Sequence, residues 1–483
     1  MAVRFRPEVI IALLAFAIRL SIILVVPAGY PGDMRGWMKG ADLVINEGMH
    51  AAYSTAAFEG TLYPLAFFYP LWLTGQAVRL FGSPQFELET RSLDVIMRLG
   101  PIIVDAVVAV LVYRLALCWT RGRAIWAGIV YALNPAVLTA GAWMGMIGDS
   151  YYVSAVLLSL LAGLSGHWTL AISFLAVGVL TKPQALAFVP LICFLAFTRM
   201  GLRQAANACV AALMTSLLVL LPFLVQGTLS DVTNAVRRMG KAFPFMHINA
   251  DNLWYLIGGV RGSGGLLPPS DVELFLGLIT YRDIGLLAFG LLYLAVLHRL
   301  VGRSSPRSIF AVASLLSLGF FVLSTRMHVN YSFPAFAFLS IMSVSKDHRY
   351  KLVLVLLTVT SMLNWLMVYQ QVQQGLSYAT TFLRLLNSAT AVVAFVVLAV
   401  SVRSTIASEP TDSVFLAQKV ARLQLAKWVL LVVGIVLLLG SASLLLVLGP
   451  NAGIPSAART FLVFGALAMV AAALVWTRSP AQP

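Results

Sequence analysis

Tyr30-Pro-Gly-Asp-Met-Arg-Gly-Trp37 follows directly on the first long apolar run, Val9 to Val26. Asp33 therefore stands close to where a membrane helix ends. The residues after it place Trp37, Met38, Ala41, Val44 and Ile45 on one helical face, the pattern of a helix lying in the membrane interface. Asp33 has two readings. It is the N-cap of that helix, where Asp is a preferred residue, or it is the catalytic base of a membrane enzyme. The other polar residues on the same side of the chain favour the base.

Working outward, 60% of the 483 residues are hydrophobic and 11% are charged. A soluble domain cannot bury that much apolar surface, so the chain is an all-α polytopic membrane protein. A span needs roughly 20 apolar residues, and on that rule the chain carries about fourteen helices. They are expected near 9–26, 94–117, 124–143, 150–165, 168–181, 183–198, 205–226, 275–297, 308–323, 332–345, 351–370, 380–402, 427–448 and 459–476. The first reads as an uncleaved helix, because many similar runs follow it. Leu62 to Gly82 is also apolar, but it contains Pro64, Pro70, Gly75, Gln76 and Arg79 and reads as an interfacial or re-entrant piece.

The net charge of +15 reports orientation. With the N-terminus in the cytoplasm, the short inner loops carry Arg114, Arg121 and Arg123; Arg199 and Arg203; Arg299, Arg303 and Arg307; and Lys346, Arg349 and Lys351. Counting 62–82 as a span would move the later basic loops outside. The long loops 27–93 and 227–274 then lie on the non-cytoplasmic side. The second contains Gly258-Gly-Val-Arg-Gly-Ser-Gly-Gly265, which reads as a lid or a plain linker. The basic residues form no single stripe, which argues against nucleic acid as a partner. Cys118, Cys193 and Cys209 have neither zinc nor disulfide spacing. The chain divides into a catalytic module, 1–345, and a C-terminal transmembrane module, 346–483, of about four helices by the same span rule.

The informative residues share the outer side. Asp33 is in the first loop and Arg98 just inside the outer end of the second helix. Asp149 lies in Gly148-Asp-Ser150, Lys182 in Thr181-Lys-Pro-Gln184, and Arg326 and His328 in Thr325-Arg-Met-His-Val-Asn-Tyr331. Arg237, Arg238 and Lys241 begin the second long loop. Each has a bland alternative: a snorkelling lysine, an N-cap aspartate, ordinary loop residues, or lipid contacts. A basic residue within a span, such as Arg98, is usually functional or paired. Arg19 and Asp105, at comparable depth, read as a structural pair. Together, one carboxylate suits deprotonation of a hydroxyl, and scattered cations suit a phosphate. No His, Cys and carboxylate cluster marks a metal site, and no Gly-Lys-Ser/Thr loop marks a nucleotide site.

Gly32-Asp33 with Trp37, Tyr63-Pro64, Met97-Arg98 with Asp105, Asn134-Pro135, Gly148-Asp149-Ser150, Lys182-Pro-Gln184, Phe243-Pro244 with Asn249-Ala-Asp-Asn-Leu-Trp254, and Met327-His328 follow one another in an order that resembles the GT-C glycosyltransferases. The resemblance is to those using polyprenyl-phosphate sugars, including the glucosyltransferases of N-glycan assembly and related mannosyltransferases, and it covers about residues 10 to 345. It implies a GT-C fold with interfacial helices in the first outer loop and an active site on the non-cytoplasmic face. It also implies an inverting transfer of a hexose, mannose or glucose; the lack of a metal-ligand cluster makes the transfer expected to be metal-independent and without a cofactor. The donor is a polyprenyl-phosphate-linked sugar and the acceptor a hydroxyl of a glycolipid or glycan. By match, Asp33 is the base, and Lys182, Arg326 and His328, with Arg98, face the donor phosphate. Asp149, Trp37, Tyr63, Asn249 and Asn252 fall on the sugar or acceptor side. Val329 and Asn330 replace the family's Glu and basic positions, and 145–152 lacks its usual Trp-Gly-Gln.

Two other readings compete. A transporter or flippase for lipid-linked glycans places its polar site near the midplane, often between related halves, and no internal repeat stands out here. A polysaccharide polymerase also works on lipid-linked glycans from the outer side.

Overall fold

The computed structural model describes residues 6–53, 63–81, 91–145, 147–259, 268–374 and 378–410. Pro7, which has no N–H to lose, opens α1 (Pro7–Val25). α2 (Pro31–Asn46) is amphipathic, with Met34, Trp37, Met38, Ala41 and Val44 buried. It packs on α3 (Phe68–Phe81). At 14 residues, α3 is about 21 Å long, short of the roughly 30 Å of a bilayer core, as expected of an interfacial piece.

α4 (Arg91–Leu117) matches the expected second helix. The expected helix over 124–143 is broken. α5 (Ala124–Leu133) ends at Asn134, whose Oδ1 accepts from the N–H groups of Ala136 and Val137, and Pro135 starts α6 (Pro135–Leu138). The two segments bend by 47°, because Pro135 cannot donate back into α5. α6 runs into a π turn, Thr139–Trp143.

α7 (Ile147–Leu164), α8 (Trp168–Thr181), α9 (Val189–Arg199) and α10 (Leu202–Val225) follow near their expected positions. α10 presents Leu213, Leu217, Leu218 and Leu221 outward, an apolar face suited to lipid. The second long loop holds α11 (Leu229–Lys241), β1 (His247–Ile248) and α12 (Leu253–Gly258).

The helix expected from 275 starts later. β2 (Leu274–Phe275) and β3 (Ile279–Thr280) form a hairpin there. α13 (Tyr281–Leu300) begins where the Thr280 hydroxyl accepts from the Asp283 N–H. The capping threonine decides the boundary, rather than hydropathy. α14 (Pro306–Leu323), capped by Ser305, is buried along most of its length. It forms the centre with α15 (Phe333–Ser343), which follows β4 (Met327–His328). α16 (His348–Gln374) and α17 (Tyr378–Ser408) complete the described helices. They join the rest closely. Asn134 donates to Thr358 (2.8 Å), Asn364 to the carbonyl of Asn249 (2.8 Å), and Arg384 to Asp251 (2.7 Å).

Seven of the described helices are long and apolar enough to cross a membrane, or eight with the bent pair counted as one span. This is an all-α multi-pass membrane architecture. The helices expected at 427–448 and 459–476, and the Gly-rich segment beyond Gly259 up to 265, lie outside the described residues.

The contacts between connections sort to two ends of the bundle. At one end Glu8 meets Arg114 (2.9 Å), Arg123 meets the carbonyl of Val344 (3.4 Å) and Arg199 meets that of Ser304 (2.8 Å). The basic short loops gather there. The other end holds α2, α11 and the residues discussed next. Arg19 and Asp105 form the expected buried pair, to which Tyr131 adds a 2.6 Å hydrogen bond.

Candidate active site

Asp33 is the third residue of α2, after Pro31 and Gly32. Tyr30, not Asp33, occupies the N-cap position, and no side chain caps the helix. The capping alternative therefore has no support. Asp33 is accessible, yet crowding by protein atoms pushes its pKa up to about 6, against the opposing pull of the Lys182 ammonium. Burial disfavours the charged form, and here it outweighs the lysine. The charge of Asp33 also acts on Tyr30, Tyr63 and Tyr331, which belong with an aromatic cluster and a charged one.

The aromatic cluster comes from α2 and residues 63–67. Trp37 meets Tyr63 edge-on with ring centroids 6.3 Å apart, and Tyr63 stacks on Phe67 at 4.1 Å. Burial, then the charges of Asp33 and Asp149, hold the Tyr63 phenol well above its usual range. Gly148 permits the close approach: a Cβ there would sit 3.3 Å from Tyr63 and 3.4 Å from Phe67.

The charged cluster comes from the first turn of α7, the α8–α9 connection and the chain after β4. Lys182 donates to Asp149 at 2.6 Å, and both are buried. The Lys182 ammonium also lies 5.7 Å from the Tyr152 ring centroid and 5.4 Å from that of Tyr331. Asn330 donates to the other Asp149 oxygen at 2.6 Å. The residue that departs from the family's basic position thus supplies a neutral donor to this carboxylate. Gln184 hydrogen-bonds Tyr331, whose phenol burial raises. Among the described residues, the Tyr152 hydroxyl and Gln184 Oε1 are buried without a hydrogen-bond partner. Lys182–Asp149 is a closed ion pair, so Lys182 donates to a phosphate only by changing partners. Asp149 likewise binds its neighbours rather than open space, and it does not cap α7.

His328 is placed by backbone pairing: β4 runs parallel to β1, with His247 opposite Met327 and Ile248 opposite His328. Its ring meets Phe243 edge-on at 5.5 Å and Tyr331 at 5.1 Å. Burial and then Lys182 push its pKa down to about 4, so His328 is neutral at pH 7 and offers a hydrogen bond rather than a charge.

Arg326 stands at the rim with a positive φ of 61°. Its guanidinium holds Asp271 through Nε (2.6 Å) and Nη2 (3.0 Å), and Nη1 donates to the Gly240 carbonyl (2.9 Å). The last contact brings the basic end of α11, with exposed Arg237, Arg238 and Lys241, beside Arg326.

Three expected site residues have other work. Arg98 is fully buried, pairs with Asp94, and donates to the carbonyls of Ala142 (2.8 Å) and Val26 (2.9 Å). The π turn carries the Ala142 carbonyl that receives it. Arg98 is therefore a strut between α1, α4 and the π turn, rather than a phosphate ligand. Asn252 is also fully buried. It caps α12 by accepting from Trp254 and Tyr255, and donates to the Phe321 carbonyl at 2.9 Å. Asn249 has a positive φ of 59°, and its backbone bridges to His328 while its carbonyl accepts from Asn364. It positions His328 through the main chain.

Tyr152, Gln184, Asn330 and Tyr331 lie in the same cluster; the sequence places Gln184 and Asn330 in motifs but gives none of the four a role in the site. Two of them, Gln184 and Asn330, lie within two residues of Lys182 and His328. The site's chemistry is thus one accessible carboxyl with a raised pKa, a closed ion pair, a neutral histidine, unpartnered polar atoms and aromatic faces. Among the described residues no group of three or more His, Cys, Asp or Glu side chains is arranged to hold a metal ion.

No known family matches the chain, and no curated protein matches it. Among solved structures it is similar to ArnT from Cupriavidus metallidurans bound to undecaprenyl phosphate, at 14% identity and a TM-score of 0.39. That match covers 83% of this chain and 77% of the other. It is also similar to the oligosaccharyltransferase of Archaeoglobus fulgidus in its apo form, at 16% identity and a TM-score of 0.41. There it covers 84% of this chain and 56% of the other.

Proposed function

We propose that the chain is a GT-C glycosyltransferase that moves a hexose, mannose or glucose, from a polyprenyl-phosphate donor to a hydroxyl of a glycolipid or glycan. The observation that carries this reading is Asp33: an accessible carboxyl with a pKa near 6, in an amphipathic helix, coupled by charge to Lys182 and Tyr63. The order of motifs in the sequence supports it independently. In the proposed reaction the acceptor hydroxyl gives its proton to Asp33. Its oxygen forms a bond to the anomeric carbon as the bond from that carbon to the phosphate oxygen breaks. The electron pair leaves with polyprenyl phosphate, and the anomeric centre inverts. A base near the working pH is best matched to such a transfer.

Tyr152 and Gln184 offer unpartnered polar atoms to sugar hydroxyls, and Trp37 and Tyr63 offer ring faces. The basic end of α11 supplies charge for the phosphate, as do Lys182 and Arg326 after each changes partner. Transfer is proposed to need no divalent metal and to take place on the non-cytoplasmic side.

The test is to incubate the purified protein in liposomes with polyprenyl-phosphate mannose, then glucose, and an acceptor lipid extract. The expected result is donor consumption with a new glycolipid, undiminished in chelator. Donor crossing the bilayer without any new glycoside is the flippase outcome and contradicts the reading. Neither donor being consumed contradicts it as well.

A further inference from the structure

At the end of the bundle away from Asp33, a groove of about 820 Å3 lies between α5, the chain after α15, and the start of α16. Its composition changes along the helix axes. α5 and α16 start together at this end, where Arg123 donates to the Val344 carbonyl (3.4 Å), and are joined again further on by Asn134 and Thr358 (2.8 Å). They therefore run side by side in the same direction. Arg123, His348 and Lys351 line the groove near the helix starts, with Lys346 from the preceding loop. Within the next two turns the same faces present Trp126 and Val130 from α5, and Leu354 and Val355 from α16. Two turns are about 11 Å.

Among the described residues no ion pair neutralises these cations. The neighbouring carboxylate, Asp347, is held by Arg349 at 2.8 Å and is not part of the lining. Among the described residues, Lys346 and Lys351 form no ion pair. Trp126 and Val355, each 58% exposed, leave the deeper part open at the apolar outer surface.

We propose that this groove binds one anionic phospholipid, its phosphate among Arg123, Lys346 and Lys351 and an acyl chain along Trp126, Val130, Leu354 and Val355. The ordering is that of a lipid at a membrane surface: charge at headgroup depth, apolar side chains below it. A soluble phosphate compound would leave the apolar half uncovered. A zwitterionic lipid would fill it but gain less from three cations. An even scatter of cations, as the topology rule alone requires, does not call for the apolar continuation between two parallel helices.

Native mass spectrometry of the purified protein, after detergent exchange with equal phosphatidylglycerol and phosphatidylcholine, tests the site. Wild type is expected to retain one phosphatidylglycerol in preference to phosphatidylcholine, with retention falling as salt rises. K346Q/K351Q should lower that retention roughly tenfold or more, since each cation near a headgroup contributes separately. W126A should lower retention of both lipids. R203Q, at the same end but outside the groove, should change neither. Thermal unfolding in phosphatidylcholine, equal for K346Q/K351Q and wild type, shows that the exposed substitutions leave the fold intact. Equal retention of the two lipids by wild type overturns the proposal. So does equal phosphatidylglycerol retention by wild type and K346Q/K351Q, or a loss in R203Q as large as in K346Q/K351Q.

Discussion

Asp33 carries the account at the scale of the residue. The N-terminal turn of α2 favours its ionised form, as helix starts do, yet burial raises its pKa to about 6. A base acts only when deprotonated, so kcat/KM is expected to rise with pH through about 6 and level off above it. The acid limb should be absent from the residual rate of D33N. His328, pushed down to about 4, is already neutral across that window. H328Q is therefore expected to alter donor KM while leaving the limb near 6 in place. A limb that moves with H328Q instead of vanishing with D33N contradicts the assignment. Asp33, Lys182 and His328 were legible in the sequence because a polar residue beside an apolar run is conspicuous. Which of them pair with each other was not: Lys182 and Asp149 are far apart in sequence, and only the packing of α7 against α8 joins them.

At the scale of the element, the same limit explains Arg98. A cation inside a helix is usually functional or paired, and Asp94, four residues earlier on the same face, is the signal for the local pair that forms. Asn134-Pro135 similarly held a cap and a break that hydropathy averages away. The second long loop is fastened to the late helices by Arg384–Asp251, with Asn387 on the other Asp251 oxygen at 2.8 Å. R384M leaves Asp251 buried without its cation and is expected to cost about 3–5 kcal/mol. Unfolding in detergent should show it, with part of the loss restored in R384M/D251N. If Arg384 contributes nothing, R384M will unfold with wild type. The basic end of α11 carries a different expectation. Its charges are exposed, so R238Q/K241Q should leave stability unchanged and raise donor KM in a salt-sensitive way. An unchanged KM removes α11 from the donor site.

For the molecule as a whole, the sorting of polar and basic connections to opposite ends was legible from charge, because orientation is written in Lys and Arg at loops. The depth of burial of α14 and α15 was not, since a central span and a lipid-facing span have similar hydropathy. Single cysteines at 237 and 303, in a chain lacking Cys118, Cys193 and Cys209, test the orientation. In intact cells an impermeant reagent should reach 237 and not 303, and the reverse pattern inverts the map. The central claim is that this bundle exists to hold one carboxylate against a lipid-linked sugar. Its most direct measurement is single-turnover glycolipid formation from a saturating polyprenyl-phosphate sugar, by wild type and D33N matched for folded protein. The account predicts a rate for D33N lower by roughly a hundredfold or more, with donor binding unchanged. Equal rates in the two proteins would contradict it.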